Sequence, residues 1–252
     1  MADSISGWFQ TIPLITRYWF GASIVVPLLG RFGLISAKFC YLSWELVFYK
    51  FQFWRPFTAL IFYPVTPQSG FHWLMMLFFM YNYSKNLESE VFDGRPADYF
   101  YLLFFNWAVA TILCMALEVG FLLDVMVLSV LYIWCQLNKD KIVSFWFGMQ
   151  FKAVYLPWVL CAFNAVLRGG GLHELIGIFI GHSYYFLAIA YPQEHGGYSF
   201  LETPSFLYNL LPNQRTGVRN IFGTAADRRD QAEARPQAPR GHDWGMGRPL
   251  GQ

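Results

Sequence analysis

The chain has 252 residues, 56% of them hydrophobic, 20% aromatic and only 13% charged, with a formal net charge of +2. A soluble domain carries about a quarter charged residues. The composition therefore excludes an ordinary water-soluble globule, and the near-neutral balance leaves no basic surplus for binding nucleic acid. From Gly197 onward the chain is rich in Arg, Pro, Gln and Gly, whereas apolar runs dominate before it. The pattern predicts a membrane domain over residues 1–192 and a disordered tail over 193–252. Residues 1–13 contain Asp3 but no basic stretch, and no small-residue cleavage site follows the first apolar run, so no cleaved signal peptide is expected.

A bilayer-spanning helix needs about 20 mostly apolar residues, and six segments are candidates. The first spans 18–35, with Pro27 and Gly30 inviting a bend. Residues 36–70 follow as a long connection, too polar to span and too aromatic for a loop in water. Trp44, Phe48, Tyr49, Phe51, Phe53, Trp54, Phe57 and Phe62 place it in the membrane interface. The second helix, 71–83, reads as too short to cross a hydrocarbon core upright, so the bilayer should thin around it or aromatic ends extend the match. The third is 97–117 and the fourth 121–137, joined by the three residues Glu118, Val119 and Gly120 in a tight hairpin. The fifth is 153–167, and the sixth, 172–191, should stop at Pro192.

Basic residues set the orientation. Arg17, Lys85, Arg95, Lys139, Lys141 and Lys152 fall on one side with the arginine-rich tail, while Arg31, Lys38, Lys50, Arg55 and Arg168 fall on the other. Both termini are therefore expected in the cytosol, consistent with an even number of spans. The four cysteines, Cys40, Cys114, Cys135 and Cys161, form no C-x-x-C pair and read as small buried hydrophobes. No metal site and no cofactor is expected.

Four features carry the functional argument: Trp54-Arg55 in the long connection, His72 at the start of the second helix, Glu88 after it, and the pair Gly177 and Gly181 in the sixth helix. Taken singly, each has a plain reading. Trp-Arg is an interfacial anchor with a snorkelling cation. His72 is a hydrogen-bonded interface residue, Glu88 a solvated loop charge, and the spaced glycines a helix-packing pair. Taken in order, they resemble the rhomboid family of six-helix intramembrane serine proteases. That resemblance implies an all-α, six-transmembrane-helix rhomboid-like bundle with both termini cytosolic.

The departures from that family concern the chemistry. No G-x-S-G nucleophile motif is present, and Ser129, the only serine of the fourth helix, lies between Leu128 and Val130. Its hydroxyl is expected to bond its own helix backbone. Met76 stands where the family has an asparagine four residues after the histidine, and Glu174 stands three residues before Gly177 where the family has its catalytic histidine. His182, one residue past Gly181, faces another side. A serine without an aligned base stays protonated and weak, so no catalytic residue is assigned.

A closer resemblance, to the derlin family of inactive rhomboid relatives in the endoplasmic reticulum, rests on several runs. They are Ile15-Thr16-Arg17-Tyr18-Trp19-Phe20, Phe53-Trp54-Arg55-Pro56, Phe92-Asp93-Gly94-Arg95-Pro96-Ala97-Asp98-Tyr99, Gln136-Leu137-Asn138-Lys139-Asp140 and Phe163-Asn164. The tail run Trp244-Gly245-Met246-Gly247-Arg248-Pro249-Leu250-Gly251 resembles the short box by which one derlin type recruits the hexameric ATPase valosin-containing protein. In that reading Trp244, Gly245, Gly247 and Leu250 form the ATPase-binding peptide, and its anchors and glycines suit a flat, reversible docking segment.

The resemblance implies a non-catalytic pseudoprotease of the multi-pass endoplasmic reticulum membrane. It would act in degradation of misfolded proteins by engaging luminal and membrane substrates and coupling their retrotranslocation to the ATPase. It would work beside a ubiquitin ligase complex and within the lipid bilayer, with a homo-oligomer left open. Two other readings stay open at this point: a stand-alone protein-conducting channel and an active intramembrane serine protease. Asp98 reads as a first-turn anion favoured by the helix dipole. Asn106, Gln136, Asn164, Glu174 and His182 are intramembrane polar residues that tie helices or meet a substrate.

Overall fold

The computed structural model describes residues 7–145, 148–168, 170–194 and 201–212. Over these the chain is helical apart from one two-stranded hairpin. Helix α1, Leu14–Arg31, starts directly after Pro13 and ends where Gly33 takes a positive φ of 79°. The expected segment is thus shifted toward the N-terminus by about one turn, because Pro13 suits a helix entry and Gly33 a helix exit. The connection that follows is locally folded. Helix α2 covers Ala37–Cys40, a π turn covers Glu45–Tyr49, and α3 covers Arg55–Ile61.

Helix α4 begins at Gly70–Phe79 and does not stop at Tyr83. Helical backbone runs on through two π turns, Met80–Ser84 and Leu87–Val91, with residues 85–86 helical between them. At ~1.5 Å per residue the run from 70 to 91 is about 33 Å long. The short second helix expected from apolar content is therefore a full-length one. Its last turns carry Asn82, Ser84, Lys85, Asn86 and Glu88, which hide the helix from a hydropathy reading, and the argument for a thinned bilayer loses its premise.

Helix α5, Pro96–Ala116, matches the expected third helix within one residue at each end. Glu118, at φ 57°, makes the tight turn into α6, Leu123–Leu137. An unexpected antiparallel hairpin follows, β1 (Ile142–Ser144) with β2 (Gln150–Lys152), in the register Ile142↔Lys152 and Ser144↔Gln150. Helix α7 is Leu156–Arg168, after a 3₁₀ turn at Ala153–Tyr155. Helix α8, Leu172–Tyr185, continues through the π turn Phe186–Ala190 and on to Glu194, two residues beyond the expected stop at Pro192. The widened turn before Pro192 shifts the carbonyls that its ring meets in a regular helix.

Within the span expected as tail, residues 201–212 pack on the bundle and carry a short helix, α9, Ser205–Leu210. The motif residues Trp244, Gly245, Gly247 and Leu250 lie outside the described residues.

Among the described residues, two helices, Pro96–Ala116 and Leu172–Glu194, are long and apolar enough to cross a membrane. Helix α6 lies at the centre of the core, with every residue from Leu123 to Cys135 buried. Its neighbour α8 comes close because of the two glycines. A Cβ on Gly177 would sit 2.6 Å from Leu128 Cβ and 2.8 Å from Val125 O, and one on Gly181 would sit 2.7 Å from Ser129 O. Both backbone oxygens belong to a helix that cannot yield locally. The expected packing role of this pair thus has a geometric basis. All four cysteines are free thiols, three of them buried and Cys161 half-buried.

Gly177→Ala is expected to cost about 1–3 kcal/mol through overpacking, read as a lower midpoint for loss of helical signal on heating in detergent. An unchanged midpoint would mean that α6 and α8 are free to part.

Candidate functional site

The residues singled out by sequence order fall into three separate clusters. The first lies at the end of the bundle that bears Arg17 and Lys85. Helix α1 has no side-chain cap of its own. Instead Glu88, 8% exposed, accepts the backbone N–H of Ile15 at 2.9 Å and of Thr16 at 2.7 Å. Glu88 is therefore not a solvated loop charge but a borrowed helix cap, placed where the macrodipole favours an anion. Beside it the Thr16 hydroxyl meets Ser84 at 2.7 Å, and Ser84 meets the Tyr99 hydroxyl at 2.6 Å. This buried chain of hydroxyls joins α1, α4 and α5.

The second cluster is the aromatic connection. Trp54 is 43% exposed and stacks on Phe39, with ring centroids 5.8 Å apart. Arg55, next to it in sequence, is 5% exposed. Its Nη1 donates to the carbonyls of Lys38 at 2.8 Å and Tyr41 at 2.6 Å, and its Nε to Gln52 Oε1 at 2.6 Å. The pair splits its work: the Trp54 ring stays partly exposed, whereas the guanidinium turns inward and satisfies the carbonyls of Lys38 within α2 and Tyr41 just after it instead of snorkelling. Brackets from the bundle complete the connection, with Trp107 Nε1 donating to Pro56 O at 3.0 Å and Leu122 N to Ala59 O at 3.0 Å.

The third cluster holds the positions that the sequence resemblance sets against a protease scaffold. His72, 6% exposed, has Nδ1 3.0 Å from the Tyr63 hydroxyl and 3.9 Å from Asp124 Oδ2. Glu174, 2% exposed, accepts Asn164 Nδ2 at 2.6 Å, which ties α8 to α7. Ser129 donates to Met126 O at 2.8 Å, the backbone bond expected of it, and accepts Asn106 Nδ2 at 3.2 Å. His182 Nδ1 lies 2.9 Å from the Tyr132 hydroxyl. Each of these polar groups thus pairs with a partner that joins two elements or steadies one. A serine whose proton goes to a main-chain carbonyl has no base to take it.

A fourth cluster was not singled out. Asp98, 3% exposed, receives four donors. Arg95 holds Oδ2 through Nε and Nη2, both at 2.7 Å, while Thr203 and Tyr208 donate to Oδ1 at 2.6 and 2.7 Å. Desolvation, reinforced by the Asp98 charge, raises the Tyr208 phenol pKa, so Tyr208 stays a donor. The dipole role expected of Asp98 is secondary to fastening residues 201–212 onto α5. The turn Asp93-Gly94-Arg95-Pro96 signalled the Arg95 pairing at i,i+3, whereas Thr203 and Tyr208 left no local signal. Above this junction, Leu210 and Leu211 rim an apolar groove of 480 Å³ between α1, α3 and α5, walled by Tyr18, Phe57, Phe104 and Trp107.

These features define a helical membrane protein whose buried polar groups serve as ties. Comparison with known proteins places it more closely. The profile of the Der1-like family matches residues 12–205. Derlin-1 of Caenorhabditis elegans is 58% identical over 242 residues, 95% of this chain and 96% of its own. Derlin-1 of Homo sapiens is 49% identical over 251 residues, 100% of this chain and 99% of its own. Derlin-1 of Drosophila melanogaster is 43% identical over 245 residues, 97% of this chain and 98% of its own. The chain belongs to the Der1-like, or derlin, family.

Glu88→Ala strips the cap from two amide groups across a helix interface and is expected to cost about 2 kcal/mol, measured by denaturant unfolding in micelles. A loss below about 0.5 kcal/mol would place the capping elsewhere. Asp98→Ala is expected to expose Phe206 and Tyr208 to chymotrypsin while the rest of the bundle keeps its resistance. Unchanged digestion would show that the Asp98 bonds do not hold the segment.

Proposed function

We propose that this chain is a non-catalytic, rhomboid-like pseudoprotease of the endoplasmic reticulum membrane that handles misfolded polypeptides for cytosolic degradation. The observation that carries the reading is likeness along the whole chain. The match with the human relative takes in 100% of these residues, so the tail with Trp244, Gly245, Gly247 and Leu250 is inside the shared length. In this reading that tail motif docks on a hexameric ATPase of the valosin-containing-protein type. Tethering raises the local concentration of the ATPase at the membrane without a new contact in the bundle.

The six long helical segments serve as six spans with both termini in the cytosol. The aromatic connection braced by Arg55 then lies on the luminal side, where it meets misfolded luminal and membrane substrates, and a ubiquitin ligase complex works alongside. The pairing of Ser129 with Met126 and Asn106 supports a scaffold that moves polypeptide without cutting it. Mechanical work comes from the ATPase, and the bundle supplies substrate contacts and a path through the bilayer. In a hydrocarbon environment every unpaired peptide group costs several kcal/mol, so a protein that escorts chain segments must offer them polar company.

Full-length protein in detergent is expected to pull down the ATPase, and a variant lacking residues 244–252 to lose at least about tenfold of that binding. Equal recovery with and without those residues would overturn the tail assignment. Purified protein mixed with a single-span reporter is expected to leave it intact. Cleavage that disappears in Ser129→Ala would overturn the non-catalytic reading.

A further inference from the structure

Between the polar half of α4, the C-terminal end of α6, the hairpin and the start of α7 lies a cleft of 410 Å³. Its chemistry differs from that of the apolar groove between α1 and α5. Asn82, Tyr83, Asn86 and Ser144 line it together with Trp134 and Phe145, and no charged side chain does. Among the described residues, the Asn86 carboxamide and the Tyr83 hydroxyl make no hydrogen bond. Asn82 uses its Nδ2 on Phe78 O at 2.8 Å and keeps its carbonyl oxygen free. Trp134, in the wall and only 4% exposed, has an indole N–H with no acceptor. The indole N–H is the buried one among these groups, and a buried donor is normally paired, so together with the open carboxamides it marks a place for a partner that supplies the missing bonds.

The hairpin adds an oriented edge. Phe145 N bonds Met149 O, and Ala153 N bonds Lys141 O, both at 2.8 Å. Strand geometry alternates, so Lys141, Val143 and Phe145 face β2, while the backbone N–H and C=O of Ile142 and Ser144 face outward. No other strand among the described residues pairs with that edge. It borders the cleft through Val143, Ser144 and Phe145.

We propose that this cleft binds an extended, uncharged stretch of polypeptide, which adds as a third strand along the outer edge of β1 while Asn82, Asn86 and Tyr83 pair with its amide groups. Edge pairing gives main-chain hydrogen bonds in register and no demand on sequence. Carboxamides both donate and accept, which matches a peptide group. The cation at the wall, Lys141 over the Trp134 ring, is paired with Glu90 at 3.2 Å and so is not free for a phosphate-bearing lipid headgroup, and an acyl chain would leave the carboxamides and the indole N–H unpaired. The inference rests on the polypeptide-handling role proposed above and adds a location and a mode of recognition for it.

The test uses the full-length protein in micelles and a short fluorescein-labelled peptide of alternating Thr and Val, followed by fluorescence anisotropy. Ser144→Pro removes an outward N–H and leaves the bonds of the hairpin intact, so Kd is expected to rise about tenfold. Ser144→Ala keeps that N–H and is expected to bind like the unaltered chain. Asn86→Ala is expected to weaken binding about fivefold with an unchanged melting midpoint, and it decides the matter if Ser144→Pro unfolds the hairpin. Absence of peptide binding, wild-type affinity in both Ser144→Pro and Asn86→Ala, or displacement of the peptide by glycerophosphocholine would each overturn the proposal. ATPase recovery through residues 244–252 is read separately, so a chain that keeps the ATPase but ignores the peptide loses this inference alone.

Discussion

The close approach of α8 to α6 is the constraint on which the bundle rests. Apolar side chains gain little by leaving hydrocarbon for one another, so helices in a membrane associate through packing and polar ties. Helix α6 has no residue to spare for lipid between Leu123 and Cys135. A helix enclosed in this way needs neighbours that reach its backbone, and Gly177 and Gly181 let α8 do so against Val125 and Ser129. On another side Asn106 reaches Ser129 from α5. The centre of the molecule is therefore tight, and the parts that meet other molecules are hung around it.

The charged and polar residues outside that centre act in one common way. Glu88 completes the end of a helix to which it does not belong, Arg55 satisfies the carbonyls of Lys38 and Tyr41 at the end of α2, and Asp98 gathers donors from Arg95 just before α5 and from residues 203 and 208. Each is buried, and each closes hydrogen bonds that would otherwise be left open in a medium with little water. These features serve to fix one element against another. The cleft beside β1 is the contrasting case, because its polar groups remain open.

Legibility in the sequence followed the physics of each element. Helices α5 and α6 were readable because long apolar content is by itself a signal, and Pro96 marked a start. The glycine pair was readable because four-residue spacing puts both on one helix face. The last turns of α4 were not, since Ser84 and Glu88 turn to α1 while Asn82 and Asn86 line the cleft beside β1, and all four remove the hydropathy that length estimates rely on. The role of Asp98 was equally hidden, as its hydroxyl partners lie 105 and 110 residues away. The hairpin was missed because its strands are three residues each and one face is exposed. Residues that meet across long separations leave no local pattern.

The cap on α1 has a consequence for how the protein is made. The first helix leaves the ribosome with its opening amides unsatisfied, and their acceptor lies 72 and 73 residues further along the nascent chain. Until that carboxylate has been synthesised and swung back, the newborn segment stays incomplete at its opening turn. The first species in which this cap is closed is therefore a pair, the opening helix joined by α4.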